Sequence, residues 1–473
     1  MRAFVLAIVI ALATFACGAP NADVKVAERP PPEAWAADMP ARPTMATVDW
    51  RNWIVDPALR SLIDGALADN PDVAIAAQRI EMARAGVLRA GGALVPTVAV
   101  GAGAGFVKPG RYTAEGAGNA TTDIMPGKPT PTHLADMAIG VQASWEIDLW
   151  GRLRNLRDSA VAQTKASEAG RDLVRTGIVG DLAAAYIELV ALDQADAILA
   201  QSIERQQEAA EVLRLHKAAG RANELAIQQF AAQLAATEAL RREAAREATQ
   251  WEARINVLAG RYPQPVLRDK AMLYSDLPAD VSAGVPSDLL AHRPDLREAE
   301  AAIQASKCDL LAARAAFFPS VTLTAGLGYQ AYNPLYLLHT PSSLAYSFAG
   351  GLLAPILNRK ELDAQFKIAK AAQVQALLLY QRAVIGAVGE VSGGLANLKG
   401  LQELLALRQA RQTALLRATE AADLLFRGGK ASYLEVLMTR QATLEAQLDV
   451  IDVWKRRRLA HVHLFRALGG GWR

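Results

Sequence analysis

Few side chains in this 473-residue chain are placed to do chemistry. The clearest is Cys17, followed by Gly18, at the end of a stretch that starts with Arg2 and runs through apolar residues from Ala3 to Leu12. That pattern reads as an export signal over residues 1–16, too short to span a bilayer permanently. The Cys-Gly junction resembles a bacterial lipobox, in which cleavage frees the cysteine for a diacylglycerol thioether and an N-acyl chain. Thr14 and Phe15 stand where Leu and a small residue are usual, so simple cleavage after Ala16 is the competing outcome. Gly18 is not the Asp that retains lipoproteins at the inner membrane, which favours the outer one. Cys308 is the only other cysteine, so acylation of Cys17 leaves no intramolecular disulfide. Glu146 and Asp148 share a strand face but have no evident acid or base partner. His461 and His463, two apart on an expected helix, point in different directions. With no G-x-S-x-G, P-loop or H-E-x-x-H, an enzyme is not expected, nor any cofactor beyond the lipid on Cys17.

The elements around these residues are long and occur twice. ARAGVLRAGGALVPTVAVGAGAGF, from Ala83 to Phe106, is answered by KCDLLAARAAFFPSVTLTAGLGY, from Lys307 to Tyr329. Each leads a helix into a strand that begins at proline, Pro96 and Pro319. AAGRANELAI (Ala218 to Ile227) is answered by RGGKASYLEV (Arg427 to Val436). Such duplication points to a structure built across a distance. A net charge of +3, with no basic tract beyond Lys455-Arg456-Arg457-Arg458, argues against nucleic acid, and that run reads as a solvated helix face.

Four segments alternate with period two, at about 96–107, 135–149, 319–331 and 343–356. One face of each is apolar, as in Val98, Val100, Ala102, Ala104 and Phe106. The other is glycine or polar, the pattern of a transmembrane barrel with a wet lumen. Each is about ten residues or longer, enough for a tilted strand to cross a bilayer. Four strands cannot close a barrel, because the smallest use about eight. Open edges are forbidden in lipid, so transmembrane strands would require several protomers to share one barrel. Residues 108–131 and 333–341 read as outward loops, and Trp145, Trp150, Tyr329 and Tyr346 as an interfacial aromatic girdle.

The remainder reads as helix. Gly151 to Gly220 spans about 100 Å if continuous, and Arg221 to Gly260 returns most of that way. Arg359 to Gly428 and Lys430 to Leu468 repeat the pattern, with Gly220 and Gly428-Gly429 suited to tight turns. Leu434, Leu437, Gln441, Leu444, Leu448 and Ile451 form a seam expected to meet Leu401, Leu404, Leu415, Ala418, Ala422 and Leu425. Arg408 and Arg411 interrupt that seam and read as partly water-facing.

These residues resemble the outer-membrane efflux proteins, the TolC-like exit ducts, most closely the lipoprotein branch serving resistance-nodulation-division pumps. The resemblance rests on WRNWIVDPALRSLIDGALADNPDV (Trp50 to Val73), ASWEIDLWGRLRN (Ala143 to Asn155) and LLAHRPDLREAEAAI (Leu289 to Ile303). ARAAFFPSVTLTAG (Ala313 to Gly326), APILNRKEL (Ala354 to Leu362) and GGKASYLEVL (Gly428 to Leu437) extend it almost end to end. It implies an α+β membrane protein: a homotrimer whose protomers each give four strands to a shared twelve-stranded barrel, continuous with a long periplasmic helical barrel. The organisation it implies is a signal peptide at 1–16, a lipid-anchored tether at 17–55, and two repeats, 56–285 and 286–473. A mixed equatorial region would include parts of 262–286. The partners implied are a periplasmic adaptor, an inner-membrane pump of that class and outer-membrane lipid.

The same resemblance places the periplasmic tips at Gly220-Arg221-Ala222-Asn223 and Gly429-Lys430-Ala431-Ser432, where the adaptor would dock. Glu435 falls on a position that is usually acidic and faces the pore, so three copies would form a carboxylate ring. The second acidic position is Met438 here, which thins the ring or supplies an apolar plug. Tyr433 and Arg427 complete the expected gate, with Lys430 flanking the turn. The function implied is passive conduction of small toxic compounds from a pump–adaptor assembly to the exterior. An exit duct for one-step protein secretion shares this architecture, and the acylated Cys17 favours the efflux branch. A periplasmic coiled-coil scaffold with a soluble sheet is the non-channel rival.

Overall fold

A computed structural model of the chain describes residues 19–27, 29–32, 48–220, 223–274, 284, 286–355 and 359–472. The expected signal peptide, Cys17, Arg221, Ala222, Ile356 and part of the expected equatorial region lie outside the described residues. Two compact units form: Met1–Val26 with Met82–Thr164 and Ala301–Leu377, and Ala27–Glu81 with Lys165–Glu300 and Leu378–Arg473. Each draws on both halves of the chain.

Among the described residues the first helices are α1 (Trp50–Trp53), α2 (Pro57–Asp69) and α3 (Pro71–Gly92). Asp56 starts α2, its carboxylate accepting from the Ala58 and Leu59 amides with Pro57 at the first turn, as the Asp-Pro pair predicts. Asn70 ends α2, and its side chain accepts the Asp72 amide. Strand β1 (Thr97–Val107) follows. The stretch beyond it is not all loop: Thr113 caps α4 (Ala114–Asn119), and β2 (Asp123–Met125) pairs with β3 (Lys128–Pro129) across Gly127 at φ 77°. A local hydroxyl cap and a glycine turn supply the order that composition alone did not suggest.

Then come β4 (Leu134–Ile147), α5 (Arg152–Ala218), α6 (Glu224–Leu258) and a 3-10 turn at Lys270–Tyr274. The second half holds α7 (Asp288–His292), α8 (Pro294–Ala315), β5 (Ser320–Ala331), β6 (Leu344–Leu353), α9 (Arg359–Arg427) and α10 (Tyr433–Ala467). Helix α5 has 67 residues and α9 has 69, whereas α6 and α10 have 35 each. Each returning helix thus covers about half the outgoing length rather than most of it. Helix α6 stops where Gly260, at φ 68°, lies so close to the Asp69 and Asn70 backbone that a Cβ would meet it at 2.7 Å.

In the first unit the strands form one antiparallel sheet in the order β1-β4-β5-β6. The register pairs Val100 with Val141, Val141 with Leu327, and Leu327 with Tyr346. Directly opposed residues share a face, so all four apolar alternations lie on one side. Nearly every residue of β1 and β6 is exposed, on both faces.

The second unit is a helical body with a dense core. Trp50, Leu59, Ile63, Leu182, Tyr186 and Ile255 are essentially inaccessible, and Trp53 stacks on Phe465 at 4.4 Å. Inside it the Tyr186 hydroxyl donates to Asp56 at 2.6 Å and accepts the Asp269 amide at 3.0 Å. Burial, reinforced by the Asp56 carboxylate, pushes the phenol well above its usual range.

The α10 seam does not meet α9 as its spacing suggested. Leu444 and Leu448 pack on Leu199 and Ala244, and Leu437 packs near Leu213 and Phe230, all from α5 and α6. The neighbouring stripe, Val450, Val453 and Ala460, meets Leu401 and Leu405 of α9. Helix α10 thus has two apolar stripes where its spacing suggests one, because a helix packed on both sides needs a second face. Arg408 and Arg411 both reach Asp449 Oδ2, at 2.6 and 2.7 Å, so the interruption of the seam is an ion-pair clasp. Nor is the run at 455–458 a solvated face. Lys455 pairs with Glu188, Arg457 covers the Trp454 ring, and buried Arg458 donates to the Leu273 carbonyl.

Candidate functional site

The polar side of the sheet is a wall of small residues. Along it lie Thr97, Gly101, Gly103 and Gly105 of β1, with Asp136, Gly140, Gln142 and Ser144 opposite. Gly326, Gly328, Thr324 and Gln330 continue it across β5. A Cβ at Gly140 would sit 2.7 Å from Gly328 Cα, and one at Gly328 would sit 2.7 Å from Gly140 Cα. The two backbones therefore approach on this face, as glycine kinks that curve a sheet do.

The apolar side carries Trp145, Tyr329 and Tyr346, and Trp150 lies just beyond the end of β4. Trp145 donates its indole N–H to the Leu94 carbonyl, and Trp150 donates to Pro319 while stacking on Phe318 at 4.8 Å. These two lie at the helix end of the strands. Tyr329 meets the Thr340 hydroxyl at the loop end, and Tyr346 is 83% exposed.

In the second unit, α9 ends in a Schellman turn. The Lys430 amide reaches the Leu425 carbonyl at 2.8 Å and the Gly429 amide reaches Phe426 at 3.0 Å. Gly429 takes φ 69°, which a side chain would strain, and Ala431 then leads into α10. Ser432 caps α10 in a reciprocal box: its hydroxyl accepts the Glu435 amide, while its own N–H and hydroxyl donate to Glu435 Oε2 at 2.6 and 2.9 Å. The Ser432 N–H, then its hydroxyl, hold the exposed Glu435 carboxyl below the usual range. The spacing Ser432-x-x-Glu435 carried this signal, but the sequence reading gave Glu435 only a pore role.

The first turn is built differently. Gly220 takes φ 72°, and the Asn223 side chain accepts the Ala226 amide to start α6. Lys217 and Glu224 pair across it, and Lys217 above all holds that carboxyl below its usual range.

The fold brings the two hairpins together. Tyr433 and Leu437 pack on Leu213, Ala226 and Phe230. His216 stacks on Phe426 at 5.7 Å. Met438 is 63% exposed and Arg427 is exposed too, so neither joins this packing. Arg440 was missed from sequence: it holds both Asp423 oxygens at 3.0 and 3.1 Å and donates to the Arg205 carbonyl at 3.3 Å. Asp423 and Arg440 are equidistant from the turn at 431–432, which is how opposite charges meet across a helical hairpin.

Near the other end of the chain, Ala19, Ala22 and Val24 pack on Leu310, Phe317 and Phe366. Cys17 itself lies outside the described residues, two positions before Ala19.

Known proteins share this arrangement. A pyoverdine export outer membrane protein, OpmQ of Pseudomonas putida, is 30% identical over 93% of this chain and 92% of its own. The cation efflux system protein CusC of Escherichia coli O6:H1 is 28% identical over 89% of this chain and 88% of its own. The solved structure of the outer-membrane channel OprN superposes with a TM-score of 0.83 at 26% identity, covering 96% of this chain and all of that one. The family profile described as Outer membrane efflux protein matches residues 62–261 and 285–470. The chain belongs to the outer membrane efflux protein family.

Proposed function

We propose that this chain is the exit duct of a tripartite efflux system, passively conducting small toxic compounds from a periplasmic pump–adaptor assembly to the exterior. The observation that carries this reading is a four-stranded sheet with one apolar face, one small polar face and two open edges. An edge strand of about ten residues leaves roughly ten backbone N–H and C=O groups unpaired. In lipid each costs several kcal/mol, so one protomer alone in a membrane is excluded by tens of kcal/mol. Three copies, each pairing its β6 with the next copy's β1, would remove every edge and close a twelve-stranded barrel. The proposed duct is therefore a homotrimer, with the curved polar face as its lumen and the apolar face toward outer-membrane lipid.

The hairpin turns suit the far end of such a duct. Gly220, Asn223, Gly429, Lys430, Ala431 and Ser432 keep the tips slim enough for an adaptor's helices to approach, and the proposed docking set also includes Arg221 and Ala222, outside the described residues. Three exposed Glu435 carboxylates, kept ionised by their caps, would ring the opening with Met438 one turn on. Acylation of Cys17 belongs to the same reading; Ala19, two positions on, packs with Ala22 and Val24 on Leu310, Phe317 and Phe366.

Planar-bilayer recording of detergent-purified protein and its Glu435→Ala variant tests this reading. Discrete conductance steps in both, with altered ion preference in the variant, support a duct with Glu435 at its constriction. Steps that ignore the substitution remove Glu435 from the gate. Extraction as a soluble protein without detergent would replace the duct with the periplasmic scaffold.

A further inference from the structure

The polar face of the sheet carries two ionisable side chains, both acidic and both on β4. They differ in how their charge is met. Glu146, at the helix end, receives Arg152 at 2.8 Å on each carboxylate oxygen, so its charge is balanced in place. Asp136, at the loop end, is exposed, and its Oδ1 accepts a 2.8 Å hydrogen bond from the neutral amide of Gln330 on β5. The amide orients the carboxylate without neutralising it.

The strand residues around it supply no opposite charge. Asp136 lies opposite Gly105, with Gly103 opposite Ala138 one step along the same face. One step toward the loops the face carries Val107 opposite Leu134. A carboxylate therefore projects between a glycine wall and an apolar pair, with no lysine or arginine on this face of any strand.

We propose that Asp136, oriented by Gln330, sets the ion preference of the outer mouth of the duct. The inference rests on the shared-barrel reading above. There, three Asp136 carboxylates form a ring near the exterior, next to a collar of Val107 and Leu134. Fixed charge of one sign lining an opening with low-dielectric walls concentrates counter-ions and repels co-ions. The ring draws cations and cationic amphiphiles through the outer mouth and slows anions, independently of any charge at the periplasmic tip.

The test is the reversal potential of single channels under a potassium chloride gradient, for wild type, Asp136→Asn and Asp136→Lys. Asn keeps the partner for Gln330, so the strand pairing survives while the charge is lost. The expected result is a cation-selective wild type, an Asn variant shifted toward zero, and a Lys variant shifted further toward anion preference. Equal reversal potentials in three conducting channels would overturn the role of Asp136 and leave the duct intact. Absence of conductance from all three proteins, inserted as folded oligomers, would overturn the duct reading and this inference with it.

Discussion

Glu435 does two jobs at the residue scale, and they support each other. Its carboxylate closes the capping box of α10, and the same hydrogen bonds keep it charged at the proposed opening. A carboxyl whose folded pKa is depressed contributes stability above its ordinary value of 4.5, and that contribution is lost as pH falls through the lower folded value. The start of α10 should therefore fray only below the usual carboxylate range. Hydrogen exchange over residues 433–439 as a function of pH reads this directly. Ser432→Ala should raise exchange there at neutral pH, by the equivalent of about 1 kcal/mol for a lost N-cap, without altering the strands. Unchanged exchange in that variant would mean that packing of Tyr433, rather than the cap, holds this turn.

At the scale of elements, the hairpins are tied by side chains rather than by their turns. Arg440 joins α10 to Asp423 of α9 and to the Arg205 carbonyl of α5, and both partners of the ion pair are less than a third exposed. One guanidinium nitrogen, Nη2, bridges both Asp423 oxygens, and the pair is worth about 1 kcal/mol, at the upper end for pairs near a surface. Arg440→Ala should loosen α10 from both neighbours, raising exchange near 423 and 440 and increasing mean single-channel conductance. A variant with faster exchange but unchanged conductance would show that the tie is structural and not part of closure. Much of this scale was legible beforehand. The strand faces followed from period-two alternation, and the helix ends from Asp56-Pro57, Gly220 and Gly428-Gly429. What escaped was pairing between distant segments. Nothing in the spacing of Leu437 and Leu444 says whether α9 or the α5–α6 hairpin will cover them, because either partner offers an apolar stripe. Arg458 looked like one charge in a solvated run, and its burial depends on the Leu273 carbonyl, 185 residues away.

For the whole molecule, the decisive property is whether the sheet curves enough to close with its copies. The Gly140–Gly328 approach offers one place for that curvature, and the neighbouring Gly101 in the same cross-strand row supplies a control. A Cβ at Gly140 would meet the Leu327 carbonyl at 2.6 Å and Gly328 Cα at 2.7 Å, both backbone atoms that cannot swing aside. A Cβ at Gly101 meets nothing within 4 Å. Gly140→Val should thus force β4 and β5 apart, an overpacking strain of about 1–3 kcal/mol in each protomer, repeated in every copy of the barrel. Gly101→Val places the same side chain on the same face without that clash, and should only narrow the lumen. The measurement is the mass of the detergent-solubilised assembly, together with its resistance to dissociation on heating. Trimers that persist in Gly101→Val and dissociate at lower temperature in Gly140→Val would tie closure to this one point of contact. Equal stability of both variants would place the curvature elsewhere, in the twist spread along all four strands.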